Sequence, residues 1–210
     1  MSDDRKSQLC AIEDEIGNCK KCDLYKTRTN TVPGSGDFEA EVMFIGEAPG
    51  QKEDEQGIPF CGASGKFLDE MLDSIELSRD KVFIANTLKC RPPNNRDPED
   101  SEKEACRPYL DKQIELINPK LIVTLGKHAT SSMMPGVGGI SKNHGKALRR
   151  PNGRTYLALY HPAAALHNGG LRETLLEDFS KIPKILDKLD KTKNENKNED
   201  KNNIKQQKLV

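Results

Sequence analysis

The run Val42-Met43-Phe44-Ile45-Gly46-Glu47-Ala48-Pro49-Gly50 constrains this chain more than any other. Its apolar residues are too few for a buried helix, and they stop at once in a turn-forming sequence. A run of this kind suits a strand covered on both faces, as parallel sheets require. Three later runs repeat the pattern: Val82-Phe83-Ile84-Ala85-Asn86-Thr87-Leu88, Leu121-Ile122-Val123-Thr124-Leu125-Gly126 and Thr155-Tyr156-Leu157-Ala158-Leu159-Tyr160, the last followed by His161-Pro162. Ligands of open α/β sheets bind just outside the carboxyl ends of the strands. Glu47, Asn86, Gly126 and His161 are therefore expected along one edge, where a site would form.

The segments between these runs supply the crossovers. Leu9, Ile12 and Ile16 share a helical spacing that Gly17-Asn18 closes, predicting a helix over 7–18. Phe67, Leu68, Met71, Leu72 and Ile75 predict one after Gly65, with Phe67 to Ile75 forming its apolar face. Cys106 is expected to open another, with Tyr109, Leu110, Ile114 and Ile117 inward and Asn118-Pro119 as its end. A last helix is expected over 171–189, kinked at Pro183. Residues 27–37 and 51–60 read as irregular, as does the basic stretch 142–154. The order predicts an α/β fold, a three-layer α/β/α sandwich around a four-stranded parallel central sheet. Residues 1–189 would form one domain. Residues 190–210 are rich in Lys and Asn and too poor in apolar groups to offset ordering entropy, so a disordered tail is expected there.

Thirty-three basic and thirty-three acidic residues cancel, so net charge neither favours nor excludes a polyanion partner. No apolar run approaches the roughly 20 residues a membrane span needs. No signal-like segment opens the chain. The expectation is a soluble, cytoplasmic protein that makes no membrane contact and acts as a monomer. In a reducing compartment six cysteines point to metal rather than to disulfides. Cys19 and Cys22 form a CxxC pair, and Cys90 and Cys106 follow at a distance, each before Arg-Pro. Four thiolates gathered from two places suit a structural zinc or a cubane iron–sulfur cluster, and the wide second spacing favours the cluster. Cys10 and Cys61 are left with packing roles.

Taken singly, the strand-end residues have ordinary explanations: a helix cap, a turn residue, a structural imidazole. Together, a carboxylate, a carboxamide and an imidazole at one sheet edge describe an active site. The motifs Gly46-Glu47-Ala48-Pro49-Gly50-x-x-Glu53-Asp54, Gly57-x-Pro59-Phe60-x-Gly62, Asn86 with Lys89-Cys90-Arg91-Pro92-Pro93, Cys106-Arg107-Pro108-Tyr109-Leu110 and His161-Pro162-Ala163-Ala164-Ala165-Leu166 resemble the family 4 uracil-DNA glycosylases. These are the iron–sulfur branch of the uracil-DNA glycosylase superfamily. The resemblance covers residues 10–185, with motifs in uninterrupted order. Ala63-Ser64 departs from it, since many members carry Arg-Ala there.

The resemblance implies a [4Fe-4S] cluster on Cys19, Cys22, Cys90 and Cys106. It implies a DNA repair enzyme that flips uracil out of single- or double-stranded DNA and hydrolyses its glycosidic bond without a lyase step. Phe60 would stack on the base, and Asn86 would read uracil O4 and N3–H, a pattern that cytosine inverts. His161 would donate to uracil O2, and Glu47 would position or deprotonate the water. Gly46 and Ala48 would shape the pocket, and Glu53 would wall the C5 side. DNA contacts are expected from Ser64 and Lys66 at a helix start, from Leu166 or His167 as the wedge, and from the basic run that includes Arg149 and Arg150.

Three competing readings bear on this assignment. A DNA-binding iron–sulfur protein without excision would not need Glu47, Phe60, Asn86 and His161 together. The branch that captures the uracil site covalently carries a basic, His-containing insertion before the fourth cysteine, and residues 93–105 hold no His. An electron-transfer role is not demanded by any residue. Gln206 to Val210 lacks the aromatic pair of sliding-clamp tails, and no such partner is assigned.

Overall fold

The computed structural model describes residues 3–166 and 168–192. His167, one of the two wedge candidates, and residues 193–210 of the expected tail lie outside that range. Six strands form one sheet: β1 (Ser35–Gly36), β2 (Val42–Gly46), β3 (Phe83–Asn86), β4 (Leu121–Leu125), β5 (Ala147–Arg149) and β6 (Thr155–Leu159), in the order β1-β3-β2-β4-β6-β5. The four strands expected from the apolar runs pair in parallel at the centre. The four-stranded expectation is corrected by β1 and β5, which pair antiparallel at the two edges. Both are two or three residues long and only partly covered, too short to show a period of two in the sequence.

Among the described residues, helices accompany the sheet: α1 (Asp3–Gly17), α2 (Gln51–Gln56), α3 (Ala63–Asp73), α4 (Asp100–Ile117), α5 (Lys127–Met133), α6 (Ile140–Asn143), α7 (Pro162–Ala165) and α8 (Gly169–Phe179). A further helix runs over 182–192, three residues into the stretch expected to be tail. The break before it falls at Ser180 and Lys181, so Pro183 stands in the first turn of a new helix, where its missing N–H is harmless. Cys106 does not open α4. Glu99 caps that helix in a reciprocal box with Glu102, and Cys106 lies well inside it. The short helices α2 and α5 are polar or mixed along their length, so periodicity did not announce them.

Alternation along the central strands explains the three layers. Val42 and Phe44 of β2 join Phe67, Leu68, Met71, Leu175 and Phe179 on the α3–α8 side. Met43 and Ile45 join Leu9, Leu110, Ile114 and Ile117 on the α1–α4 side. Neither face meets water, which is why these strands read as continuous apolar runs. A third apolar cluster, Ile12, Ile16, Leu24, Leu88 and Tyr109, surrounds Cys90 and Cys106 beyond the end of β3. Among the described residues, no helix is long and apolar enough to cross a membrane.

Candidate active site

Parallel strands in register deliver their ends to one edge. Gly46 of β2 pairs with Asn86 of β3, and β4 and β6 end beside them at Leu125 and Leu159. The chain leaving β3 stays zippered to the chain leaving β2: Thr87 N donates to Gly46 O at 2.9 Å and Leu88 N to Glu47 O at 3.0 Å. Outside these ends opens a cleft of about 350 Å³ whose walls include Glu47, Ala48, Glu53, Phe60, Asn86 and His161. The sequence placed all six in the base pocket, and the fold brings them together.

Asn86 is buried, with its carboxamide at the cleft wall. The Gly46 backbone passes so close that a Cβ there would be driven into Asn86 Oδ1 and would stand 2.8 Å from Phe60 Cζ. Glycine at 46 is thus a space requirement set by the pocket. Phe60 lies against His161, ring centroids 5.5 Å apart and planes inclined by 25°.

His161 is the N-cap of α7, and its Nδ1 accepts from Ala163 N at 3.1 Å. A backbone N–H can only donate, so Nδ1 carries the lone pair and the proton sits on Nε2. Burial pushes the imidazole pKa down to about 4, against the opposing pull of Glu53. His161 is therefore a neutral ring with one outward N–H donor. Glu53 is itself tied down, accepting from Gly62 N at 3.0 Å.

Glu47 has company that the sequence did not reveal. His128 Nδ1 lies 3.8 Å from Glu47 Oε1, and its Nε2 lies 3.8 Å from Asp97 Oδ1. Burial raises the Glu47 carboxyl above its ordinary value, and Asp97 adds to that, while His128, Lys103 and Lys127 pull it back. The result is a carboxylate more basic than a solvated one and held at the cleft. His128 is the second residue of α5, a helix without an apolar stripe, and Asp97 lies in the polar stretch before α4; distance in the chain hid the cluster. The three donor atoms lie within 4.8 Å of one another, a grouping with single-ion spacing.

Cys19, Cys22, Cys90 and Cys106 line a second cavity, together with Ile16, Arg28, Lys89 and Tyr109. None of the six cysteines is disulfide-bonded. Burial pushes the Cys106 thiol up to about 11 and raises Cys90 and Cys22 as well. Buried thiols of this kind ionise only against a compensating cation. Two donors aim at the sulfurs: Arg28 Nη1 at Cys90 Sγ, 3.1 Å, and Lys89 N at Cys106 Sγ, 3.3 Å. The donor set fits a thiolate-bound iron–sulfur group, which draws such N–H contacts to its ligands. Lys89 itself is fully buried, its ammonium donating to Gln113 Oε1 at 2.7 Å, and burial lowers its pKa to about 8.

The expected DNA contacts divide. Ser64 lines the cleft, Lys66 is exposed two residues on in α3, and Leu166 is exposed at the end of α7. The N–H groups of Gly65 and Lys66 already donate to Gly62 O, which leaves Ala63 and Ser64 to face an anion at this helix start. Arg149 and Arg150 are not brought to this edge. Arg149 pairs with Thr155 at the beginning of β6 and borders a pocket with Asn118 and Lys120, at the amino ends of the strands. Arg150 is engaged by Pro135 O at 2.8 Å. The basic run is thus divided: Arg149, Arg150 and Arg154 lie about the amino end of β6, whereas Lys142 and Lys146 flank His144, which bridges to Ala158 near its carboxyl end.

A mixed α/β sheet, parallel at its centre, with a cleft at its carboxyl edge walled by Asn, His and Phe defines a class, and comparison with known proteins agrees. The family described as the Uracil DNA glycosylase superfamily matches residues 33–186, and the chain belongs to it. Within it, the chain is 52% identical to the Type-4 uracil-DNA glycosylase of Sulfurisphaera tokodaii over 179 residues, 81% of each chain. It is 48% identical to the Type-4 uracil-DNA glycosylase of Saccharolobus solfataricus over 190 residues, 85% of this chain and 86% of that one. The Archaeoglobus fulgidus protein of the same name is 46% identical over 189 residues, 85% of this chain and 93% of its own.

Proposed function

We propose that this enzyme is a monofunctional uracil-DNA glycosylase of the iron–sulfur type. It takes a flipped uracil into the Phe60–Asn86–His161 cleft and hydrolyses its N-glycosidic bond. The observation that carries the assignment is the convergence of a buried carboxamide, a neutral imidazole with an outward N–H and an aromatic ring on one cleft.

The bond breaks towards a cation-like sugar and a uracil anion. Charge grows at O2, where the His161 Nε2–H donates and gains strength as the charge develops; such a fixed donor is worth about 10²–10³ in rate. A neutral imidazole suits this role because it keeps its proton through the reaction. Asn86 offers one donor to O4 and one acceptor to N3–H. Cytosine would leave both mispaired in a buried site, which rejects an analogue by about 10⁴-fold. Phe60 supplies the stacking face, and Glu53 closes the side where thymine bears its methyl. Glu47 orients or deprotonates the attacking water, a task that its raised pKa favours.

Cys19, Cys22, Cys90 and Cys106 would hold a [4Fe-4S] cluster, which supplies a structural tie among the N-terminal helix, the chain after β3 and α4. The donor set and its two N–H contacts support this. Uracil-containing DNA is the partner. Ala63, Ser64 and Lys66 are placed to hold a phosphate, and Leu166 to enter the vacated stack. The test is single-turnover excision on matched oligonucleotides bearing U, T, C, hypoxanthine or xanthine, with iron and sulfide quantified on the same preparation. Release of uracil with an alkali-labile abasic product is expected; a borohydride-trapped covalent adduct would contradict the monofunctional reading.

A further inference from the structure

Phe60 sits in the left-handed region, φ +51°, a conformation a bulky side chain rarely adopts. Backbone strain of this kind persists only where surrounding structure holds it. One side chain does that here. Arg79, in the turn before β3, reaches back to donate from Nη1 to Pro59 O at 3.0 Å and from Nη2 to Phe60 O at 2.5 Å. Nη2 also lies 3.4 Å from Gly65 O, and Nε donates to Asp69 Oδ1 at 2.5 Å. The guanidinium thus binds the two carbonyls flanking the strained residue, and Asp69 of α3 fixes the guanidinium. Gly65 completes the clamp, since a Cβ there would be driven into the Phe60 carbonyl.

We infer that Arg79 is a positioning residue for base recognition: it holds the Phe60 backbone in its left-handed conformation and so sets the plane against which the base stacks beside His161. Arg79 does not line the cleft and acts only through Phe60. Lysine, a point charge without the planar fork, cannot reproduce the paired carbonyl contacts. The inference rests on the stacking role of Phe60 proposed above.

A double-mutant cycle on excision tests it. Arg79→Ala is expected to lower kcat/KM on uracil-containing single strands by about 10–100-fold, as misplacement of about 1 Å does, and Phe60→Ala to lower it by a comparable factor. With Phe60→Ala already in place, adding Arg79→Ala should change kcat/KM less than about twofold, since no ring remains to misplace. Equal losses in the two backgrounds, or no loss from Arg79→Ala alone, would overturn the inference. If Phe60→Ala leaves excision unchanged, the stacking role itself fails, and the inference with it. Should Arg79→Ala not be recovered folded, Arg79→Lys is read in the same cycle with the same criteria, and thermal midpoints of all variants separate unfolding from misplacement.

Discussion

Phe60 and His161 stand with their ring centroids 5.5 Å apart, and each is held from behind by a backbone contact of its own. Arg79 fixes Phe60 through its carbonyl; the Ala163 N–H fixes His161 through Nδ1. On the proposed reading, the stacking plane and the anion donor are each set by a contact outside the cleft. Fixed donors aimed at developing charge are what electrostatic catalysis requires.

Replacing Asn86 by Asp keeps the shape and inverts one hydrogen-bonding group. Uracil excision should fall by about 10²–10³-fold, while excision of cytosine from matched oligonucleotides rises from background. Unchanged uracil excision by Asn86→Asp would remove the base-reading role.

Glu47→Gln should lower kcat by about 10²-fold, in the range for loss of a general base, with KM little changed. The sign of the pH dependence follows from the raised carboxyl: activity that needs the ionised form is lost as pH falls through a value above that of an ordinary glutamate. His128 pulls that carboxyl down, so His128→Ala should move the acid limb of kcat/KM to higher pH. An acid limb that stays put in both variants would disconnect Glu47 from the chemistry.

His161 carries a stability signature. Its folded pKa, about 4, lies below the ordinary 6.5, so between these values the unfolded chain binds more protons than the folded one. Its contribution is present in full above pH 6.5 and is lost as pH falls towards 4. Thermal midpoints of the wild type should drop across that window more steeply than those of His161→Gln, which has no imidazole to titrate.

Gly46→Ala places a methyl against Asn86 Oδ1 and Phe60. Overpacking of this kind costs about 1–3 kcal/mol, and here it displaces both base-contacting groups. A loss in kcat/KM larger than for Ala48→Ser, measured at a temperature where both variants are folded, is the expected result.

Cys90→Ser should lose visible absorbance and bound iron together with thermal stability. A colourless variant that stayed as stable as the wild type would remove the structural role of the cysteine cavity.

The central sheet was legible because its strands are covered on both sides: Val42, Phe44 and Met43, Ile45 face opposite cores, and the runs stay almost wholly apolar. The strand-end residues were legible for the same reason, each being the first polar group after an apolar run. The edges β1 and β5 were not, because two or three half-covered residues leave no pattern. Arg79, Asp97 and His128 were hidden for another reason. Their partners lie 10 to 81 residues away, and nothing in Ser78-Arg79-Asp80 or Lys127-His128 distinguishes them from solvated charge. The basic run 142–154 was visible but misleading: charge density could not say at which end of the sheet it would fall.

Three residues separate Asn86 at the cleft from Cys90 at the cysteine cavity, and the chain between them is pinned to Gly46 and Glu47 by hydrogen bonds. Lys89 continues that seam, its carbonyl accepting from Val32 N at 2.8 Å. The segment behaves as a short lever with one arm in each site. Loss of whatever the cysteine end holds would then be felt twice, in the stability of the fold and in the seat of the Asn86 amide.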